Sequence, residues 1–205
     1  LDKMGYKAIS LTGWQAGVKS NSNYSKAKIS GIDKQRLEKE LAAGKIVVVA
    51  GFQGLSDNGD ITTLGRGGSD TSAVAIAASL GAKRCMIFTD VDGVYTTDPR
   101  IVKEAQKLPT ISYEEMLEMA SLGAVVMQPR AVEFAMLYGV DIEVLSSFSL
   151  EPGTIITEVN NMEQHRIVTG IAHDCKCAKI GIFDVPDKPG VASLIFSALA
   201  RAGVN

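Results

Sequence analysis

Along the chain, short runs of β-branched and aliphatic residues alternate with stretches whose apolar positions recur every three or four residues. Ala8-Ile9-Ser10-Leu11, Ile46-Val47-Val48-Val49, Cys85-Met86-Ile87-Phe88-Thr89 and Ile142-Glu143-Val144-Leu145 have the length and composition of strands. The unbroken run from Lys45 to Ala50 suits a strand covered on both faces, as in parallel sheets. Helical patterns lie between these runs. One starts at Asp33, carries Leu37 and Leu41 on one face and ends at Gly44. A second runs from about Asp70 to Leu80 and closes at Gly81. Ser112 and Glu115 have the spacing of a capping box ahead of Met116, Leu117, Met119 and Ala120. Pro129 opens a further helix that stops at Gly139. The polar stretch from Lys19 to Lys28 is expected to form a hairpin or surface excursion, and Gly51-Phe52-Gln53-Gly54 a loop. Strands separated by helical patterns imply right-handed crossovers. The expected fold is therefore α/β, a helix-sheet-helix sandwich around a mainly parallel sheet.

From Pro152 to Gln164 the pattern breaks into turns. Ala178 to Val185 then reads as a strand, Pro186 to Gly190 as a turn and Val191 to Ala202 as an apolar-faced helix. This fresh β-α start places a boundary near residues 158–163, with 1–160 as one domain and 163–205 as the beginning of a smaller α+β one. The chain opens at Leu1 in what reads as the tail of a helix, and Gly203-Val204-Asn205 falls where another strand would begin. Both ends are expected to be cut.

Composition narrows the function class. Apolar residues make up 46% and charged residues 21% of the chain, and the net charge is −2, an ordinary globular balance. There is no basic stripe and no aromatic-interleaved basic run, so a nucleic-acid partner is disfavoured. No apolar run approaches the ~20 residues that span a bilayer, so no membrane partner is expected. The cysteines, Cys85, Cys175 and Cys177, are odd in number, which fits a reducing cytoplasm better than a disulfide framework. His173, Cys175 and Cys177 would share one face of a strand, but no second ligand pair follows at zinc spacing and no metal site is assigned. Trp14, the only tryptophan, is expected to pack.

The chemistry concentrates in two stretches. In Thr63-Leu64-Gly65-Arg66-Gly67-Gly68-Ser69-Asp70-Thr71 the glycines let backbone approach a ligand and adopt positive φ. The helix that follows aims free N–H groups and a positive dipole end at the same place, and Arg66 adds a fork suited to carboxylate or phosphate. Taken alone, the stretch also reads as a plain turn with Ser69 or Asp70 capping a helix. No Gly-x-x-x-x-Gly-Lys-Ser/Thr phosphate loop occurs. Thr89-Asp90-Val91-Asp92-Gly93-Val94-Tyr95-Thr96-Thr97-Asp98-Pro99-Arg100 leaves the carboxyl end of a strand, where ligands bind in open α/β sheets. Arg100 suits a phosphate, Tyr95 a sugar or base, and Asp90 the magnesium of a phosphoryl donor. Asp92-Gly93 and Asp98-Pro99 read as turn chemistry.

With Thr12-Gly13-Trp14-Gln15-Ala16-Gly17, Val49-Ala50-Gly51-Phe52-Gln53-Gly54 and Pro129-Arg130-Ala131-Val132-Glu133 added, the sequence resembles the aspartate kinases of the amino-acid kinase superfamily over essentially its whole length. The resemblance implies transfer of the γ-phosphoryl group of ATP, bound with Mg2+, to the β-carboxylate of L-aspartate, the entry to lysine, threonine and methionine synthesis. It implies that Arg66, Gly67, Gly68 and Ser69 bind aspartate, that Asp70 orients groups at the transferring phosphate, and that Thr89, Asp90, Tyr95, Arg100 and Val126 contact nucleotide. Val185 to Ala192 resembles the strand-to-helix loop of an ACT domain. The resemblance there implies that Asp187, Gly190 and Ala192 contact lysine or threonine as effectors, and that the protein dimerises through such domains. Two departures stand out. The family's amino-terminal Lys-x-Gly-Gly segment and an upstream glutamate are absent, and Val125 occupies the place of a nucleotide-binding lysine. The 205 residues alone are therefore expected to have little or no activity. Kinases for glutamate, acetylglutamate or uridine monophosphate, and a non-catalytic amino-acid sensor, remain the alternative readings.

Overall fold

The structure, a computed structural model, describes residues 1–124, 126–158, 168–173, 180–186 and 188–202. It divides into two compact units, Leu1–His173 and Asp174–Asn205.

The described residues of the larger unit form three sheets. Strand β1 (Ala8–Leu11) pairs in parallel with β4 (Ile46–Val49), Ala8 opposite Ile46 and Leu11 opposite Val49. A second sheet has the order β3-β2-β5-β6, from β2 (Val18–Ser20), β3 (Ile29–Ile32), β5 (Gln53–Leu55) and β6 (Ile61–Thr63). The third, β7-β9-β10-β8, comprises β7 (Arg84–Thr89), β8 (Thr110–Ser112), β9 (Asp141–Ser146) and β10 (Thr154–Thr157). The pairs β1-β4, β2-β5, β7-β9 and β8-β10 are parallel, and β2-β3, β5-β6 and β9-β10 antiparallel. The α/β expectation thus holds with a parallel-rich arrangement. Gln53 and Gly54, expected in a loop, instead begin β5, and the turn-rich stretch after Pro152 contains β10.

Helices α1 (Gln35–Ala42), α2 (Gly68–Ser79), α3 (Tyr113–Ser121) and α4 (Pro129–Tyr138) supply the other layers. The Ser112–Glu115 capping box forms in both directions, and Gly139 ends α4 at φ +64°. Helix α2 is the hub. Val74 joins the core made by Ile87, Ile111, Met116, Val132, Ile142, Val144 and Ile156, with Ala73, Ala77 and Ala78 packed against it. Ile76 and Leu80 pack on the separate cluster of Leu11, Ala16 and Leu37. A helix apolar on so many sides must lie between layers, so its amino terminus is held in place by both cores.

Three burial expectations fail. Leu41 is 44% exposed, because α1 turns Leu37 and Glu40 inward, with Glu40 gripped by Arg36 at 2.8 Å and Lys45 at 2.6 Å. Strand β4 is not covered on both faces: Ile46 and Val48 stay exposed. Trp14 is 42% exposed rather than packed.

Buried Thr154 pins the loop that follows β7. Its Oγ1 accepts the Val94 N–H at 2.8 Å and donates to the Leu108 carbonyl at 2.6 Å. Thr154→Val leaves both backbone groups unsatisfied, and we expect chemical denaturation to show a loss of about 1–3 kcal/mol.

In the smaller unit, α5 (Val191–Arg201) starts from Gly190 at φ +92°. Residues 180–185 do not form the expected strand, and Asp184 there adopts φ +54°, outside the range of a strand. Residues 159–163 of the expected boundary and 178–179 of the expected strand lie outside the described residues.

Candidate active site

Three loops leave the carboxyl ends of parallel strands: Thr12–Gly17 after β1, Ala50–Phe52 after β4, and the residues following Thr89 after β7. Such ends are where open α/β sheets present ligands. The glycine-rich turn between β6 and α2 closes against the second of them. A Cβ on Gly51 would lie 3.2 Å from the Ser69 Cα, and one on Gly68 would lie 2.8 Å from the Phe52 ring. The Phe52 N–H donates to the Ser72 hydroxyl at 3.1 Å, and that hydroxyl donates back to the Gly68 carbonyl at 2.6 Å.

Within the turn, Gly65 and Gly67 adopt φ +77° and +67°. The Gly68 N–H is spent on the Gly65 carbonyl at 3.0 Å. Among the described residues the N–H groups of Ser69 and Asp70 carry no hydrogen bond, as expected for the first turn of a helix. Arg66 is exposed and forms no ion pair among the described residues, and Ser69 is exposed. The half-buried Asp70 carboxyl has no hydrogen-bond partner among the described residues, and burial pushes its pKa up. Its charge in turn helps raise the Cys85 thiol, already lifted by burial, which places Asp70 on the β7 side of α2. The result is an anion cradle of two open amides, a helix amino terminus and a free guanidinium, with one carboxylate beside it.

The loop after β7 is built differently. Thr89 Oγ1 donates to Asp90 at 3.1 Å. The Tyr95 hydroxyl donates to the Asp92 carboxylate at 3.0 Å, and Lys107 Nζ reaches the same carboxylate at 3.3 Å and the Pro152 carbonyl at 2.8 Å. Burial and then the Asp92 hydrogen bond push the Tyr95 phenol up. Asp92 is thus the group that orients Tyr95, a role that turn chemistry alone did not suggest. Arg100 is 86% exposed, and the Nε/Nη2 edge of its guanidinium is held by Asp98, at 3.0 Å through Nε and 2.8 Å through Nη2. That fork holds the Asp98 carboxyl down to about 2. Any stabilisation from this pair is present above the ordinary value of 3.8 and is lost as the pH falls through about 2. In Arg100→Ala the backbone N–H of residue 100 still donates to Asp98 at 2.9 Å, so carboxyl-carbon NMR is expected to show the Asp98 pKa rising towards 3.8 but staying below it. No hydrogen bond or ion pair among the described residues joins this loop to the glycine-rich turn.

The sequence profile of the amino acid kinase family matches residues 1–146. The chain belongs to this family. An aspartokinase from Bacillus sp. (strain MGA3) is 53% identical over 205 residues, all of this chain and 50% of the relative. The chain thus spans about half the length of the curated relatives it matches. Among solved structures, E. coli aspartokinase III in complex with aspartate and ADP (R-state) aligns with a TM-score of 0.77 at 27% identity, over 100% of this chain and 46% of that one. The same enzyme in complex with lysine and aspartate (T-state) gives 0.72 at 29% identity, over 98% of this chain and 46% of that one.

In this amino acid kinase chain several residues near the cradle escaped sequence reasoning. Lys26, from the polar excursion, has its Cα 3.5 Å from where a Cβ on Gly65 would be. Gln128 and Arg130, at the start of α4, contact the turn itself. Val126 is half-buried just before α4, and Gly190 and Ala192 lie at the start of α5. Val125, Asp187, Cys175 and Cys177 lie outside the described residues. No group of three or more His, Cys, Asp or Glu poised for a metal ion occurs among the described residues, and no helix among them is long and apolar enough to cross a membrane.

Proposed function

We propose that this chain is part of an aspartate kinase that transfers the γ-phosphoryl group of ATP to the β-carboxylate of L-aspartate. The observation that carries this reading is the cradle at the start of α2, where the Ser69 and Asp70 amides are open and Arg66 is uncommitted. Whole-chain identity above 50% with aspartokinases supports the choice of substrate. Arg66 and the α2 amides hold carboxylate oxygen, while Gly67 and Gly68 keep side chains out of its way. Thr89, Asp90, Tyr95, Arg100 and Val126 line the nucleotide.

A carboxylate acceptor is already ionised at neutral pH, so no strong base is needed. The site must neutralise charge and set the in-line approach, which fixed amides and a guanidinium do without reorganising. Magnesium fits this donor set as an ion carried in on ATP, because such ions keep waters and phosphates as ligands and need only one or two carboxylates. Asp70, half-buried and without a hydrogen bond among the described residues, and Asp90 are the carboxylates that would meet it. The ion would supply charge neutralisation on the phosphates.

By the same resemblance the smaller unit is the start of a regulatory domain. In it Asp187, Gly190 and Ala192 meet lysine or threonine, the protein dimerises through such domains, and it works in the cytoplasm. The 205 residues alone are expected to turn over slowly if at all.

The test is coupled ADP release by the full-length protein with L-aspartate, L-glutamate and uridine monophosphate as acceptors. Aspartate alone should support turnover. Arg66→Ala should raise the aspartate KM at least tenfold, in line with the roughly 1.5–3 kcal/mol of a hydrogen bond to a charged group. Equal turnover with another acceptor would defeat the proposal.

A further inference from the structure

We propose that Arg130 is a positioning residue that holds the glycine-rich turn in the shape that opens its amides. From the first turn of α4, Arg130 Nη1 donates to the Leu64 carbonyl at 2.7 Å and Nη2 donates to the Ala27 carbonyl at 2.9 Å. One planar fork thereby ties together two segments far apart in sequence. Leu64 is fully buried and is the last residue before the positive-φ Gly65. Its N–H is also fixed, donating to the Phe52 carbonyl at 3.0 Å. Ala27 is fixed as well, its N–H donating to the Thr63 carbonyl at 2.9 Å.

On the far side of Arg66 the same helix start acts again. Gln128 stands at the N-cap position of α4 and lies so close to Gly67 that a Cβ there would fall 1.7 Å from the Gln128 Cγ. Arg66 therefore projects from between two residues that α4 holds, Leu64 and Gly67. Only a guanidinium offers two parallel donors at this spacing, so a lysine reaches one carbonyl at best. Arg130 also makes no ion pair among the described residues. Its charge is spent on the Leu64 and Ala27 carbonyls rather than on a carboxylate.

The inference rests on the reading of this cradle as the aspartate site, and its test separates the two. Arg130→Lys and Arg130→Met in the full-length protein are followed by steady-state kinetics and by hydrogen exchange of the peptide covering residues 64–70. The expected result is faster exchange in that peptide and an aspartate KM raised tenfold or more in Arg130→Met, with the ATP KM within twofold of wild type. Arg130→Lys is expected to lie between the two, since it keeps the charge and one bond. Unchanged exchange overturns the brace, as does a parallel rise of both KM values. Arg66→Ala serves as the reference. If it leaves the aspartate KM untouched, the substrate assignment falls, and the exchange data alone uphold or overturn the brace.

Discussion

Gly67→Ala will cost the full-length protein about 2–5 kcal/mol of stability and remove measurable aspartate binding. Two independent penalties combine. Gly67 sits at φ +67°, where an L side chain costs roughly 1–2 kcal/mol. The new Cβ would also stand 1.7 Å from the Gln128 Cγ and 2.6 Å from its Cβ, an overlap that forces a shift costing roughly another 1–3 kcal/mol. The shift must move either α4 or the turn, and moving the turn moves the Ser69 and Asp70 amides. Gly59 is the matched control, because it sits at φ +83° with nothing within 4 Å of an added Cβ. Gly59→Ala bears the backbone penalty alone, so the difference between the two variants in denaturant midpoint reports the contact with Gln128. Equal losses would mean that α4 does not press on the turn.

The second large effect is opposite in sign for stability and for activity. Asp70→Asn will lower kcat roughly 100-fold or more, as loss of a group positioned for the transition state does, yet it will raise the melting temperature at neutral pH. Burial raises the Asp70 pKa, so between the unfolded value near 3.8 and the raised folded value the native state holds the extra proton. Stability therefore falls as the pH rises through that window, and the penalty persists above it. Asparagine has no such penalty. The melting advantage of Asp70→Asn will shrink as the pH is lowered towards 3.8 and vanish below it. A variant that is less stable than wild type at neutral pH would show that Asp70 is a structural cap and not a strained functional carboxylate.

What the sequence made legible were features whose signals are local. The β6-α2 glycine turn, the Ser112–Glu115 capping box and the Pro129-to-Gly139 helix each write their boundaries in neighbouring residues. The short strands β5, β6 and β8 did not, because three residues carry too little period-2 pattern, and β5 contains Gly54. Strand β10 was hidden behind Pro152-Gly153, which reads as a turn. Leu41 was misplaced because its spacing from Leu37 is helical, while the inward position went to the ion-paired Glu40. The site divides the same way. Arg66, Gly67, Gly68, Ser69 and Asp70 stand in one motif, whereas Gln128, Arg130 and Lys26 reach it from distant segments. Asp92 orients Tyr95 across one turn, yet its Asp-Gly pair has a simpler local explanation.

The most direct test is a crystal structure of the full-length protein with L-aspartate and ADP. The predicted result is a carboxylate of aspartate about 3 Å from the Ser69 and Asp70 N–H groups, within reach of the Arg66 guanidinium, with the nucleotide along Thr89 to Arg100. Aspartate bound elsewhere, with those two amides still open to solvent, would contradict it.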